Sequence, residues 1–343
     1  MDGPDRSDTD PRHGPGNFGI AFPWLAGRYP KSMKPAPRIR IIGELMNNAY
    51  ARARKAWEGR DVSGYQHLAK LQSDAGAEIV NLNVDGTQRT SVRTSEMLEF
   101  LPKVIPAIQA VTDVALSFDN PNIEYHKVAL RVFDRSRCRG KPLFNSLAAS
   151  REQLDGMLEL IREHDMRCIV MASECFLPGG RTGQSLDPRH SYETVKRFAD
   201  LLVTKAGRSL DDIIVDPGLA PVGADTYGLV NIGLDTMRLC TADPQLRGLH
   251  FSVGLSNFAW GTPKAVKPLL ERAYLTLGAR VGLDYALANV EANSTPLAED
   301  DPLVARLAAA LQLGRPVNGE SVEDAGYRQA AEIMEICSGY IDA

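Results

Sequence analysis

The stretch LHFSVGLSN, residues 249–257, begins as a β-strand and ends in a polar turn. Leu249, Phe251 and Val253 are apolar at alternate positions, which is the pattern of a strand with one buried face. The strand runs into a small polar turn that ends at Asn257. A polar residue at the exit of a core strand indicates either a helix cap or a functional site, and the rest of the chain decides between them.

The same strand-then-helix pattern occurs eight times along the chain. The predicted strands span residues 38–43, 78–84, 113–118, 141–146, 166–173, 211–218, 249–257 and 282–290. The helices that follow them are predicted at residues 61–76, 95–111, 121–135, 151–164, 191–206, 225–240, 264–278 and 302–313. Alternating strands and helices indicate parallel strands joined by helical crossovers, and eight such units over roughly 250 residues match a closed (β/α)8 TIM barrel.

An open, doubly wound sheet is the structural alternative. It is disfavoured because no G-x-G-x-x-G motif follows the first strand. Residues 326–340 predict an extra amphipathic helix at the C-terminus. Residues 1–37 are expected to form an N-terminal tail and entry segment that is partly mobile. The barrel domain is therefore expected to span residues 38–343.

Composition limits the classes of function. The chain has 343 residues and a formal net charge of -4, so no nucleic-acid partner is expected. No apolar run approaches the ~18 residues of a membrane span, and the acidic, Pro- and Gly-rich start lacks the features of a signal peptide, so we expect a cytoplasmic protein. The five cysteines form no C-x-x-C pair and are expected to be buried packing residues.

Polar residues stand at the carboxyl ends of all eight predicted strands, where a barrel of this kind carries its active site. They are Glu44, Asn47, Asn83, Asp85, Asp119, Asn122, Asn145, Ser146, Ser173, Glu174, Asp216, Ser256, Asn257, Asn289 and Glu291. The absence of Lys and Arg from these strand ends disfavours a phosphate site. The absence of His leaves a metal site poorly supported, and we expect this chain to bind no metal.

Carboxylates together with carboxamides suit a neutral, planar heterocycle. A carboxylate accepts two parallel hydrogen bonds from an amidine-like edge, and Asn offers both a donor and an acceptor. Helix capping is the competing explanation, and it is as good as a site role for Asn122 and Ser256. For Asp119, Asn145 and Asp216 the site role is the better interpretation.

With these residues placed, the chain resembles the methyltetrahydrofolate:corrinoid methyltransferases, which share the pterin-binding barrel of dihydropteroate synthases. The resemblance covers residues 38–313 and rests on six motifs in order, which are IIGELMN, AGAEIVNLNVDG, LSFDNPN, KPLFNS, DIIVDPG and VGLSN. It implies that Asp119, Asn145 and Asp216 hold the pterin ring. It also implies that Asn257 is the catalytic residue, hydrogen-bonded to the pterin near its methylated nitrogen. We expect further folate contacts from Asn122, Asn83, Ser256, Glu44 and Asn47.

The resemblance implies methyl transfer between a corrinoid (cobalamin) and tetrahydrofolate, in a demethylation pathway or elsewhere in one-carbon metabolism. The corrinoid must come on a separate partner protein, because the chain contains no D-x-H-x-x-G motif. A homodimer is also implied. Trp260, Phe258 and Phe176 lie beside the predicted mouth and are candidates for contact with the corrinoid, although packing against neighbouring loops explains them equally well.

The chain departs from the family pattern around the methyl position. Residues 43–47 read GELMN where the family commonly has GERIN, and Asn81 replaces a common acidic residue. Trp260 stands where some members have a polar side chain. A dihydropteroate synthase-like enzyme is an alternative, disfavoured because no Arg–His pair lies near strand eight. A non-catalytic folate-binding or docking subunit is another, and the retained Asn257 argues against it.

Overall fold

A computed structural model of the chain describes residues 38–340, so the prediction for residues 1–37 lies outside the described part. The strands are β1 Arg40–Asn47, β2 Ile79–Asn83, β3 Ala115–Asp119, β4 Leu143–Leu147, β5 Arg167–Met171, β6 Glu174–Phe176, β7 Thr182–Gln184, β8 Ile213–Asp216, β9 His250–Phe251 and β10 Tyr285–Ala288. Eight of them form one parallel sheet in the order β10-β1-β2-β3-β4-β5-β8-β9. The Leu287 N–H donates to the Val253 carbonyl at 3.0 Å and joins the two ends of the sheet. The predicted (β/α)8 TIM barrel is confirmed.

The helices are α1 Ala51–Glu58, α2 Val62–Asp74, α3 Thr94–Gln109, α4 Ile123–Val132, α5 Leu154–Glu163, α6 Pro188–Thr204, α7 Leu229–Ala242, α8 Lys267–Ala279, α9 Pro302–Leu313 and α10 Val322–Ser338. All eight predicted crossover helices and the extra C-terminal helix, α10, are present. Helix α1 was not predicted from the sequence, because its buried face consists only of Ala53, Ala56 and Trp57 within an otherwise polar stretch. The antiparallel hairpin of β6 and β7, which follows the fifth barrel strand, was not predicted either.

The barrel interior changes from apolar to polar along the strands. An inner layer is made by Ile42, Ile79, Ala115, Leu143, Ile169, Ile214 and Tyr285. Because side chains alternate along a strand, the next inward positions lie two residues further on. On five neighbouring strands these positions hold Asn81, Ser117, Asn145, Met171 and Asp216. The apolar layer therefore fills the barrel interior, and the layer above it on the side of the carboxyl ends is polar except at Met171.

The five cysteines are all buried and free, which confirms their prediction as packing residues. Among the described residues, no helix has the length and apolar character needed to cross a membrane.

Candidate active site

A cavity of about 270 Å³ opens at the carboxyl ends of β5, β8 and β9. Its walls come from the end of β5 and the hairpin that follows it, from the loop after β8 and the start of α7, and from the turn after β9. The lining residues are Met171, Ser173, Gln184, Ser185, Asp216, Pro217, Gly218, Leu219, Ala220, Leu229, Ile232, Gly254 and Asn257. Asp216 and Asn257 thus share one cavity.

Asp216 ends β8 and is held rigidly by backbone amides. Its Oδ1 accepts from the Gly218 N–H at 2.8 Å, and the Gly254 N–H is a second backbone donor to the carboxylate. Burial raises the pKa of Asp216 to about 6 despite these two hydrogen bonds. Gly218 has φ +83°, and a Cβ there would lie 2.6 Å from Cβ of Ser173, so only glycine allows this turn.

Asp119 and Asn145, at inward positions of β3 and β4, are joined through Asn81 on β2. The Asn81 Nδ2 donates to Oδ2 of Asp119 at 2.8 Å, and the Asn145 Nδ2 donates to Oδ1 of Asn81 at 3.3 Å. Asn83 is a further donor to Asp119. Burial raises the pKa of Asp119, while its amide partners and the nearby Arg151 oppose the shift. The fully buried Asn81 organises this group, a role that the sequence analysis did not assign to it.

Glu44 of β1 is a buried acid in contact with Ser256, the residue before Asn257. Its carboxylate accepts hydrogen bonds from the hydroxyls of Tyr50 and of Ser256, the latter at 3.2 Å. Burial raises the pKa of Glu44 to about 7, and the nearby acid Glu271 adds to the shift. Glu44 therefore exchanges its proton near neutral pH, and it is hydrogen-bonded to the residue that precedes Asn257. Tyr50 is a partner that the sequence analysis did not find.

Asn257 lies at the exposed rim of the cavity, in the 3-10 turn Leu255–Asn257. Its backbone N–H donates to the Gly254 carbonyl at 3.1 Å, which fixes the turn. Its Nδ2 lies over Gly254, where an added Cβ would approach it to 3.0 Å. No hydrogen bond of the Asn257 side chain is found within residues 38–340, so its carboxamide is available to a ligand.

Several predicted site residues also make structural hydrogen bonds. Asn122 caps α4, because its side chain accepts from the Glu124 N–H at 2.9 Å, as the capping explanation expected. The Asn47 side chain accepts from the Ala49 N–H at 2.8 Å in a local turn. Asn83 supports Asp119, as described above.

Of the three aromatic residues predicted near the mouth, only Trp260 is mostly exposed, at 69%. The prediction that Phe258 faces a partner is wrong, because Phe258 is fully buried and packs against Tyr274 with ring centroids 4.5 Å apart. Phe176 is half-buried on the hairpin, with the Phe198 ring at 5.2 Å and the Arg197 guanidinium at 3.9 Å.

The described residues contain no group of three or more His, Cys, Asp or Glu side chains placed to hold a metal ion.

The profile of the family described as pterin binding enzyme matches residues 47–287, well over half of the chain. The chain belongs to the pterin-binding enzyme family. One curated relative is the methylcorrinoid:tetrahydrofolate methyltransferase of Eubacterium limosum, 23% identical over 250 residues, which cover 72% of this chain and 83% of the relative.

Solved structures of dihydropteroate synthases have the same fold. The Yersinia pestis enzyme in complex with a sulfonamide drug is 16% identical with a TM-score of 0.53, over 75% of this chain and 91% of that one. The Coxiella burnetii enzyme with pteroic acid is 20% identical with a TM-score of 0.52, over 81% of this chain and 94% of that one. At these identities the similarity shows the fold alone.

Proposed function

We propose that this protein transfers a methyl group between tetrahydrofolate and a corrinoid carried by a separate partner protein. The reaction is methylcobalamin plus tetrahydrofolate giving cob(I)alamin plus 5-methyltetrahydrofolate, or its reverse. The observation that carries the proposal is the unpaired carboxamide of Asn257 at the rim of a cavity whose wall holds the Asp216 carboxylate. The printed name of the Eubacterium limosum relative supports the same reaction.

The cavity suits the pterin ring of the folate. Such a ring presents an amidine-like edge of two N–H donors, and a carboxylate accepts both in parallel. Asp216 lines the cavity, and a carboxylate has about four acceptor positions, of which two backbone amides use two. We assign the remaining polar edge of the ring to Asp119 and Asn145, which Asn81 holds in place.

Asn257 is the proposed catalytic residue. A methyl group on a tertiary amine transfers slowly, because the nitrogen is a poor leaving group until it is protonated or strongly hydrogen-bonded. In the transition state the carbon–nitrogen bond breaks, and the electron pair left on nitrogen attracts a donor. The carboxamide of Asn257 supplies that donor, and one donor that acts in the transition state contributes about 10²–10³ in rate.

Glu44 is the proposed store for the proton that ends on the nitrogen. Its pKa of about 7 lets it release or accept a proton near neutral pH, and it is hydrogen-bonded to Ser256, the neighbour of Asn257. In the direction that forms 5-methyltetrahydrofolate, the same group accepts the proton. Proton transfer by a positioned side chain is most effective when its pKa lies near the working pH, as the pKa of Glu44 does.

The corrinoid must meet the methyl group from outside the barrel. Pockets that enclose drug-sized ligands measure about 300–1,000 Å³. The cavity, at about 270 Å³, is smaller than that range and far too small for a corrin macrocycle. Cobalt(I) of the corrinoid supplies the nucleophile that takes the methyl group. We place the partner protein over Trp260, which is exposed and three residues beyond Asn257.

The test is to mix the purified protein with methylcobalamin and tetrahydrofolate, and separately with cob(I)alamin and 5-methyltetrahydrofolate. The cobalt absorbance is expected to change in at least one direction, with the free or the protein-bound corrinoid. No turnover in either direction with either form of corrinoid would contradict the enzyme.

Two other outcomes would point to the alternatives. Folate binding without any turnover would support a folate-binding or docking subunit. Condensation of a pterin pyrophosphate with 4-aminobenzoate would support a dihydropteroate synthase-like enzyme. The dihydropteroate synthase-like alternative would be expected to have an Arg–His pair near β10. The loop after β10 instead carries the acid Glu291, which forms an ion pair with Arg52.

A further inference from the structure

We propose that Gln184 binds the aminobenzoyl-glutamate arm of the folate and is a specificity residue of the site. This inference rests on the proposed function, since it takes folate as the ligand. Gln184 lies in the hairpin of β6 and β7, outside every strand end considered in the sequence analysis.

The hairpin is a fixed wall of the cavity. At its base the Ser185 N–H donates to the Ser173 carbonyl at 2.8 Å, and the Ser191 hydroxyl donates to the Ser185 hydroxyl at 2.9 Å. The Glu174 carboxylate accepts from the Ser150 N–H at 3.2 Å, which ties the hairpin to the loop after β4. Gln184 pairs with Glu174 in the hairpin ladder, so its position follows from these contacts.

The strand order places the hairpin that carries Gln184 and the turn that carries Asn257 after the strands on opposite sides of β8, which ends in Asp216. The sheet runs β5-β8-β9, the hairpin follows β5, Asp216 ends β8, and Asn257 follows β9. All three side chains line the same cavity. A ring bound at Asp216 with its methylated nitrogen at Asn257 therefore has Gln184 on its other flank.

The cavity wall and Gln184 together complement an aryl amide, which has an apolar ring and a polar amide group. Leu219, Ala220, Leu229 and Ile232 form an apolar surface from the loop after β8 and from α7. Gln184 is exposed, and no hydrogen bond of its side chain is found in residues 38–340. A benzoyl ring can pack on the apolar surface, and its amide can donate to and accept from the carboxamide of Gln184.

The test compares two ligands by titration calorimetry: 5-methyltetrahydrofolate, and 5,6-dimethyltetrahydropterin, which has the same ring without the arm. Gln184→Ala and Gln184→Leu are each expected to weaken folate binding about three- to tenfold, the effect of one neutral hydrogen bond. Both variants should bind the armless pterin within about twofold of the wild type.

Gln312→Ala is the matched control, because Gln312 is an exposed carboxamide on α9 and is not among the residues that line the cavity. It should leave both affinities unchanged. Equal weakening of both ligands by Gln184→Ala, or no weakening of either, would overturn the assignment of Gln184. Failure of the wild-type protein to bind either ligand would instead contradict the proposed function.

Discussion

Replacement of Asn257 by alanine separates catalysis from binding and from folding. The side chain is exposed and has no hydrogen bond within residues 38–340, so its loss should change the free energy of unfolding by less than about 0.5 kcal/mol. The pterin edge is assigned to Asp216, Asp119 and Asn145, so folate affinity should stay within a few-fold. Only the hydrogen bond to the leaving nitrogen is lost, and the expected fall in kcat is about 10²–10³-fold, or about 2.7–4 kcal/mol.

The assay is single-turnover methyl transfer followed by cobalt absorbance at saturating folate, with folate affinity and urea unfolding measured on the same preparations. Asn257→Asp has nearly the same shape but offers no N–H donor, so it should be as slow as Asn257→Ala. A rate near that of the wild type in either variant would refute the role of Asn257. A parallel loss of rate and folate affinity in both variants would show that Asn257 binds the ring rather than assisting its departure.

Asp216→Asn should raise the Kd for 5-methyltetrahydrofolate about 10–100-fold in calorimetry, because a hydrogen bond to a charged group is lost; an unchanged Kd would contradict ring binding at Asp216. In the wild type, the rate of demethylation of 5-methyltetrahydrofolate should fall as the pH rises through about 7, because Glu44 loses its proton. Glu44→Gln should remove this fall, and an unaltered pH profile would exclude Glu44 as the proton store. Glu44 ionises near pH 4.5 in the unfolded chain and near pH 7 in the folded one. As the pH rises from 4.5 to 7, the free energy of unfolding of the wild type should therefore fall by about 3 kcal/mol relative to that of Glu44→Gln, as measured by urea unfolding. Gly218→Ala should destabilise the fold by about 2–4 kcal/mol through backbone strain and the clash with Ser173. Gly207 has φ +63° and open space around it, so Gly207→Ala should cost only the backbone strain. Equal losses of stability in the two variants would contradict the clash.

The barrel could be predicted from the sequence because each of its units carries its own local signal. Apolar alternation marks the strands, and helical spacing marks the crossovers, so the eight units need no long-range information. The hairpin was missed because β6 and β7 have three residues each and lie in what resembles a loop. The turn between them, PGG at residues 178–180, was the signal that could have revealed it.

The candidate site was predictable where a side chain ends a strand and not where it depends on a distant partner. Asp119 and Asp216 follow from strand ends alone. Asn81 lies in the middle of β2, and its role appears only when β3 and β4 bring Asp119 and Asn145 to it. The contact of Glu44 with Ser256 joins residues 212 positions apart, for which no local pattern exists.

Aromatic residues beside the mouth show the same limit. Trp260 and Phe258 stand two positions apart in the sequence, yet one is 69% exposed and the other is fully buried. Burial of Phe258 depends on Tyr274 of α8, which lies outside the turn. Composition around a polar turn therefore locates the site but does not say which of its aromatic side chains face outward.

The most direct test of the account follows the methyl group itself. 5-Methyltetrahydrofolate with a carbon-13 label in its methyl group is incubated with cob(I)alamin and the protein, and the label is located by NMR spectroscopy. We predict that the label appears on cobalt with the wild-type protein, and about 10²–10³-fold more slowly with Asn257→Ala. A label that stays on the nitrogen of protein-bound folate would contradict methyl transfer by this site.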